Sequence, residues 1–302
     1  MVALHQTLES WGRFLVAAAL VVWLGATSIV AIIGYIVAMV GVIASQLRFL
    51  PKVTRSTAPS RPATAAVQVG VPEWRRRILN YSWPFAIWGV FAWGQVASER
   101  WALQALASVK VVGLFAVLYQ IGYYPIFTAT GLLAQLVQPA MFQRAGDASS
   151  SHRMDQVYRI NWYLTGLTVG LTVVAVVAAT LLHGLIFRLF VAQQYASVAS
   201  LLPWMVFAGG LYAVAQVAVI GPLSSRESKI LLWPRVTCGA LGIGLNFMGA
   251  ARFGIAGVVG AGVVFGALYL SWVLVIAAQQ HREISSATRT DTAAAPGLAS
   301  GA

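Results

Sequence analysis

WRRRILNYSWPFAIWGVFAWGQVASER, residues Trp74 to Arg100, decides how this chain folds. A compact basic cluster, Trp74-Arg75-Arg76-Arg77, opens it, a charge-free run from Ile78 to Ser98 follows, and the pair Glu99-Arg100 ends it. After Lys110 a second charge-free run extends from Val111 to Gln143, interrupted by Pro125 and closed by Pro139. About 20 apolar residues suffice for a helix to cross the ~30 Å hydrocarbon core of a bilayer. Two such runs, with basic residues before the first and after the second, read as a helical hairpin entering a membrane from its cytoplasmic side.

Composition points the same way. Of 302 residues 59% are hydrophobic and only 9% charged, with a mean hydropathy of +0.77. A soluble domain carries about 25% charged residues, so this chain cannot cover a normal water-facing surface. The net charge of +12 does not indicate nucleic acid, because most Lys and Arg sit in short gaps between apolar runs and no basic-aromatic stripe is present. The single Cys238 excludes an intrachain disulfide and a cysteine-built metal site, and His5, His152, His183 and His281 lack ligand spacing.

Residues 14–47 are free of charge. As one helix they would be about 50 Å long, so two spans are expected, about 4–23 and 28–47, turning at Gly25-Ala26-Thr27-Ser28. A single long tilted helix is the alternative and puts the N-terminus on the other face. A cleaved signal peptide fits poorly, since the apolar run continues well past any cleavage site. The first two spans occupy residues 1–48, and residues 49–77 form a basic connector whose Pro/Ser/Thr/Ala middle predicts a flexible cytoplasmic loop. Six further spans fill residues 78–278, near 78–99, 111–142, 160–187, 201–223, 230–250 and 254–278. Gly166 and Gly170 have the small-xxx-small spacing of close helix contacts, and Gly254, Gly257, Gly260, Gly262 and Gly266 crowd the last span. The tail 279–302 reads as disordered and cytoplasmic. The expected fold is therefore an all-α integral membrane protein of about eight transmembrane helices.

Charge tests the arrangement. Of 20 Lys and Arg, only Arg100, Lys110, Arg188 and Arg252 fall opposite the Arg48–Arg77 side. This positive-inside asymmetry puts both termini in the cytoplasm. Of the acids, only Glu99 lies away from the cytoplasmic loops and tails, and no GxxxxGK[ST] loop is present. One carboxylate beside one arginine is a thin basis for catalysis, so neither an enzyme nor a catalytic residue, metal or cofactor is expected.

Three segments carry a resemblance. Ser98-Glu99-Arg100 with Val112-Gly113-Leu114-Phe115-Ala116-Val117-Leu118-Tyr119 is similar to the "DR … VGxYxxAY" segment of polysaccharide flippases, within the multidrug/oligosaccharidyl-lipid/polysaccharide exporter superfamily. Leu189-Phe190 … Tyr195-Ala196 … Leu202-Pro203 resembles that family's "lFG.xYxxA…lp" segment. Leu245-Asn246 … Phe253-Gly254-Ile255-Ala256-Gly257 resembles its "lN…yGixGAA" entry to the last helices. The resemblance covers about residues 1–280. It implies a six-helix C-terminal transporter lobe over 78–278, preceded by the last two helices of an N-terminal lobe whose first four have no counterpart here.

The resemblance further implies a function: flipping an undecaprenyl-diphosphate-linked oligosaccharide across a bacterial inner membrane, in surface-polysaccharide, O-antigen or exopolysaccharide biosynthesis. Membrane lipid surrounds such a protein, and a polymerase and glycosyltransferases of the same pathway are its implied partners. A diphosphate needs cationic or hydrogen-bonding groups, which makes Arg100 and Lys110 the candidate substrate contacts, with Glu99, Gln95 and Gln120 beside them. Relatives often carry a charge near Tyr119-Gln120, where this chain has none. The alternatives are a multidrug exporter, an accessory to a membrane-embedded glycosyl- or acyltransferase, and a non-transporting fragment.

Overall fold

The structure is a computed structural model and describes residues 2–25, 27–56, 71–146, 148, 150–225 and 228–294. All regular elements among them are helices. Four stretches, Val109–Ala145, Ser151–Phe190, Gln193–Ser224 and Leu232–Thr288, are long and apolar enough to cross a membrane, and Phe14–Leu24 and Ile29–Ser45 are shorter apolar helices. The chain is an all-α membrane protein, and it divides into two compact units, Met1–Val69 and Gly70–Ala302.

The first unit is a helical hairpin of α1 (Val2–Leu24) and α2 (Ser28–Ser56). Gly25 makes the turn at φ 106°, a left-handed conformation that a side chain disfavours, and the Thr27 hydroxyl accepts from the Val30 N–H at 3.3 Å. The helices close on each other where Gly34 meets the backbone of Ala17, and Phe14 packs edge-on against Tyr35 at 5.9 Å. Without a hydrophobic drive between helices in lipid, such small-residue contacts supply the cohesion.

The second unit begins with α3 (Val71–Leu106). Ser108 caps the next helix, α4 (Val109–Leu118), by accepting from the Val111 N–H at 3.4 Å. A π-turn over Tyr119–Tyr123 leads into α5 (Tyr124–Ala145). Pro125 predicts a kink here because it has no N–H to return to the preceding turn. The helix answers by widening, with the Tyr124 N–H reaching five residues back to the Tyr119 carbonyl. After Gly146, Ser150 caps the 40-residue α6 (Ser151–Phe190). A 3-10 segment, Gln193–Leu201, then leads through α7 (Leu202–Ala218) and α8 (Ile220–Ser224) to α9 (Leu232–Ala294). Gly254 breaks α9 with φ 57° and ψ −131°. The two arms fold back on each other, so that a Cβ on Gly257 would overlap the Gly249 carbonyl and one on Gly242 would lie 3.0 Å from the Phe265 ring.

Helix α7 is the centre of the unit. Glycines in and just after it meet two neighbours: Gly209 the Tyr123 backbone of the π-turn, and Gly210 and the α8 residue Gly221 the α6 side chains of Thr172, Asn161 and Tyr158. The α6 threonines Thr165, Thr168 and Thr172, all buried against this face, return their hydroxyls to the carbonyls four residues back at 2.8 Å.

Three expectations need correction. A Cβ built on Gly166 or Gly170 would meet nothing within 4 Å among the described residues, so their spacing marks no helix contact there; on α6 the close approach is made by Thr172 and Asn161 instead. Part of the tail is not disordered. Residues 279–294 continue α9, because Gln280, His281 and Ser285 recur on one helical face and bond to α6. The basic connector is shorter than expected, since 49–56 and 71–77 are helical. Residues 57–70 and 295–302 lie outside the described residues.

Candidate functional site

Buried polar side chains gather where α3 crosses the first arm of α9. Gly239 and Gly242 of α9 sit against Phe91 and Gln95, which brings the helices close. Gln95 Nε2 donates to Glu99 Oε1 at 3.2 Å, the Ser98 hydroxyl to the Gln95 carbonyl at 2.7 Å, and Asn246 Nδ2 to the Ser98 hydroxyl at 2.9 Å. All four residues are buried, and Asn246 Oδ1 has no partner. Glu99 and Arg100 point apart, as successive residues on a helix must. No ion pair joins them; Glu99 faces inward, while the exposed Arg100 sets its guanidinium 5.8 Å from the centre of the Tyr119 ring.

From Tyr119 a file of rings runs inward. Tyr119 stacks on Tyr123 with centres 4.6 Å apart and planes 14° from parallel. Tyr123 contacts Tyr212 at 6.3 Å, and Phe127 contacts the same Tyr212 at 5.7 Å. Tyr212 meets Phe265 at 5.9 Å and Tyr269 at 6.0 Å. The π-turn assists the first step. In an α-helix residues four apart are offset by about 40°, and the wider turn removes part of that offset.

The file ends on Arg235. This arginine is only 5% exposed, and its guanidinium carbon lies 5.0 Å from the Trp88 ring, 5.1 Å from Tyr212 and 4.9 Å from Tyr269. The Tyr212 hydroxyl accepts a hydrogen bond from it. Gln216, with its amide turned to present oxygen, accepts from Nη2 at 3.0 Å and Nη1 at 3.2 Å. Arg235 Nε has no partner, and among the described residues no carboxylate lies within ion-pair distance. Aromatic faces attract a cation by about 0.5–2 kcal/mol each. Arg235 thus carries a full charge with no counter-ion and keeps one unpaired donor, Nε, of the five on its guanidinium.

A second polar knot ties the start of α6 to the end of α9. Asp155 accepts from Arg159 at 2.9 Å, His281 at 3.2 Å and Ser285 at 2.8 Å. Trp162 donates its indole N–H to His281 Nδ1 at 3.1 Å, and an indole can only donate. Nδ1 is therefore the acceptor, and Nε2 carries the proton donated to Asp155. Tyr158 stacks on His281 and donates to Gln280 at 2.7 Å.

Of the five residues singled out from sequence, the structure joins Gln95 and Glu99 directly and leads Arg100 onto the ring file. Lys110 and Gln120 are exposed and make no contact with that group. Positive-inside counting places Arg235 among the cytoplasmic loop charges, whereas the structure buries it. The signal that could have found it is its place at the head of a charge-free run, alongside Trp88, Tyr212 and Tyr269 in three other such runs. No family model, curated protein or solved structure matches the chain.

Proposed function

We propose that the chain is part of a membrane transporter that moves an undecaprenyl-diphosphate-linked oligosaccharide from one leaflet to the other. The observation that carries this reading is the continuous file of aromatic rings between Arg100 and Arg235. Sugar rings present C–H faces that stack on aromatic side chains, and a diphosphate suits guanidinium groups, which bind such oxygens through paired hydrogen bonds. An amphiphile with both features matches a path that has both. The distribution of Lys and Arg supports both termini being cytoplasmic, and setting the buried Arg235 aside leaves the asymmetry standing; the bacterial inner-membrane location rests on the resemblance to polysaccharide flippases. A polymerase and glycosyltransferases of the same pathway are the proposed partners.

The test uses proteoliposomes loaded with a fluorescent lipid-linked oligosaccharide and a membrane-impermeant quencher. Relocation without covalent change in the substrate supports the proposal; covalent change in the sugar identifies an enzyme or its accessory. A second reading, multidrug export, is favoured by Glu99, a buried carboxylate of the type that holds a coupling ion. Cation efflux driven by an ion gradient, without glycolipid movement, would establish it.

A further inference from the structure

The end of α6 carries a second site that the ring file does not reach. A cavity of 810 Å³ opens between the last two turns of α6 and the 3-10 segment, with His183, Arg188, Gln193 and Ser200 in its wall. A second cavity of 470 Å³ adjoins it and shares His183 and Ser200. Its other walls are mainly apolar: Val176, Pro203, Trp204 and Phe207. Together they make one cleft along α6, polar at the Arg188 end and apolar two to three turns deeper.

That gradient runs along the helix axis, and so along the membrane normal. Arg188 follows the charge-free run 160–187, which is long enough to fill the hydrocarbon core, so its guanidinium lies at the interface where lipid phosphates sit. Among the described residues no carboxylate pairs with it. His183 Nδ1 lies 3.0 Å from the Thr180 carbonyl, an acceptor only, which places the proton on Nδ1. Gly184 has nothing within 4 Å of where a Cβ would stand, which keeps the mouth of the cleft wide. Trp204, 57% exposed, gives the deeper part of the cleft a broad apolar ring face.

We infer that this cleft binds one glycerophospholipid of the surrounding bilayer, its phosphodiester on Arg188 and one acyl chain in the slot formed by Val176, Trp204 and Phe207. Both polarity and charge match a lipid in its membrane orientation. None of the lining residues belongs to the path from Arg100 to Arg235, so the site is separate from the proposed cargo route and stands whether or not that route carries a glycolipid.

The full chain, reconstituted with phosphatidylglycerol bearing a diazirine in its acyl chain, is irradiated, digested and mapped by mass spectrometry. Adducts are expected to concentrate on peptides holding Val176, Trp204 and Phe207, above the level at the exposed α5 residue Leu136. Arg188→Gln, a change at an exposed position, should lower that labelling roughly tenfold, the equivalent of one charge-assisted hydrogen bond, and leave Leu136 unaffected. Diacylglycerol with the same diazirine chain but no phosphate should label the slot no better than Leu136. Equal labelling of slot and Leu136, an unchanged slot signal in Arg188→Gln, or equal labelling by diacylglycerol each overturns the inference. Displacement of the probe by undecaprenyl diphosphate at lower concentration than by unlabelled phosphatidylglycerol also overturns it, and makes the cleft a cargo site.

Discussion

Arg235 places its guanidinium carbon 4.9 Å from the centre of the Tyr269 ring, so the α9 hairpin holds a full positive charge in its core against an uncharged aromatic face. A buried charge with no counter-ion costs several kcal/mol, and the surrounding rings offset only part of that. Arg235→Met keeps a long apolar side chain and removes the charge. Its unfolding temperature in detergent should rise, while glycolipid relocation should fall by roughly tenfold or more, the loss expected for one charge-assisted hydrogen bond. A drop in unfolding temperature would instead make Arg235 a packing residue.

Glu99 offers a cleaner separation of the two transport readings. Glutamine at that position still presents an oxygen to Gln95 Nε2, now 3.2 Å from the carboxylate, and needs no ionisation. Glu99→Gln should fold as the parent does and move glycolipid within about twofold of its rate, a difference below 0.5 kcal/mol. An exporter that binds its coupling ion on this carboxylate would lose gradient-driven efflux outright. Measuring both activities on one preparation decides between them.

The glycines divide into two classes that alanine substitution can separate. A Cβ on Gly257 meets the Gly249 carbonyl, and the helix arms must part to admit it, at a cost of about 1–3 kcal/mol. Gly166 and Gly170 face open space, so Gly166→Ala and Gly170→Ala should leave thermal unfolding unchanged or slightly raised. Destabilisation by the α6 pair would mean that their face packs on something beyond the described residues.

Asp155 ties the last turns of α9 to α6 through His281 and Ser285. Asp155→Asn weakens the ion pair with Arg159 and leaves a neutral, weaker acceptor for the other two donors. Amide hydrogens of residues 279–288 should then exchange faster by about tenfold, the equivalent of one charged hydrogen bond, while those of α7 stay protected. Unchanged exchange at 279–288 would show that packing alone holds the helix end.

Much of this architecture is legible in the residues, for reasons that also explain what is not. Uninterrupted apolar runs and the turn at Gly25 declare themselves, because lipid forces backbone groups into helices and glycine takes such φ values easily; Gly254 reads as one of the packing glycines of the last span, and only the structure shows it making the break. Pro125 announces a disturbance, though not its form as a π-turn. The composition of the last two dozen residues suggested a loose tail, yet His281 and Ser285 find Asp155 more than 120 positions away, a pairing that no local pattern reveals. Arg235 escaped for a related reason. Positive-inside counting treats each arginine as a marker of the interface, and only the assembled helices show Trp88, Tyr212 and Tyr269 closing around this one. Small-xxx-small spacing at Gly166 names a smooth helix face without saying what, if anything, lies against it.

The widened turn at Tyr119–Tyr123 has a consequence for how this chain tolerates change in length. It holds one residue more than an α-helical turn of the same rise, a slack loop of backbone between two anchored halves. Losing the codon for Gln120, Ile121 or Gly122 would let the turn tighten, with Pro125 then kinking the helix in place of the wider turn. Tyr119 and Tyr123 would then fall out of alignment, and the bundle would persist while its row of rings came apart at the first step.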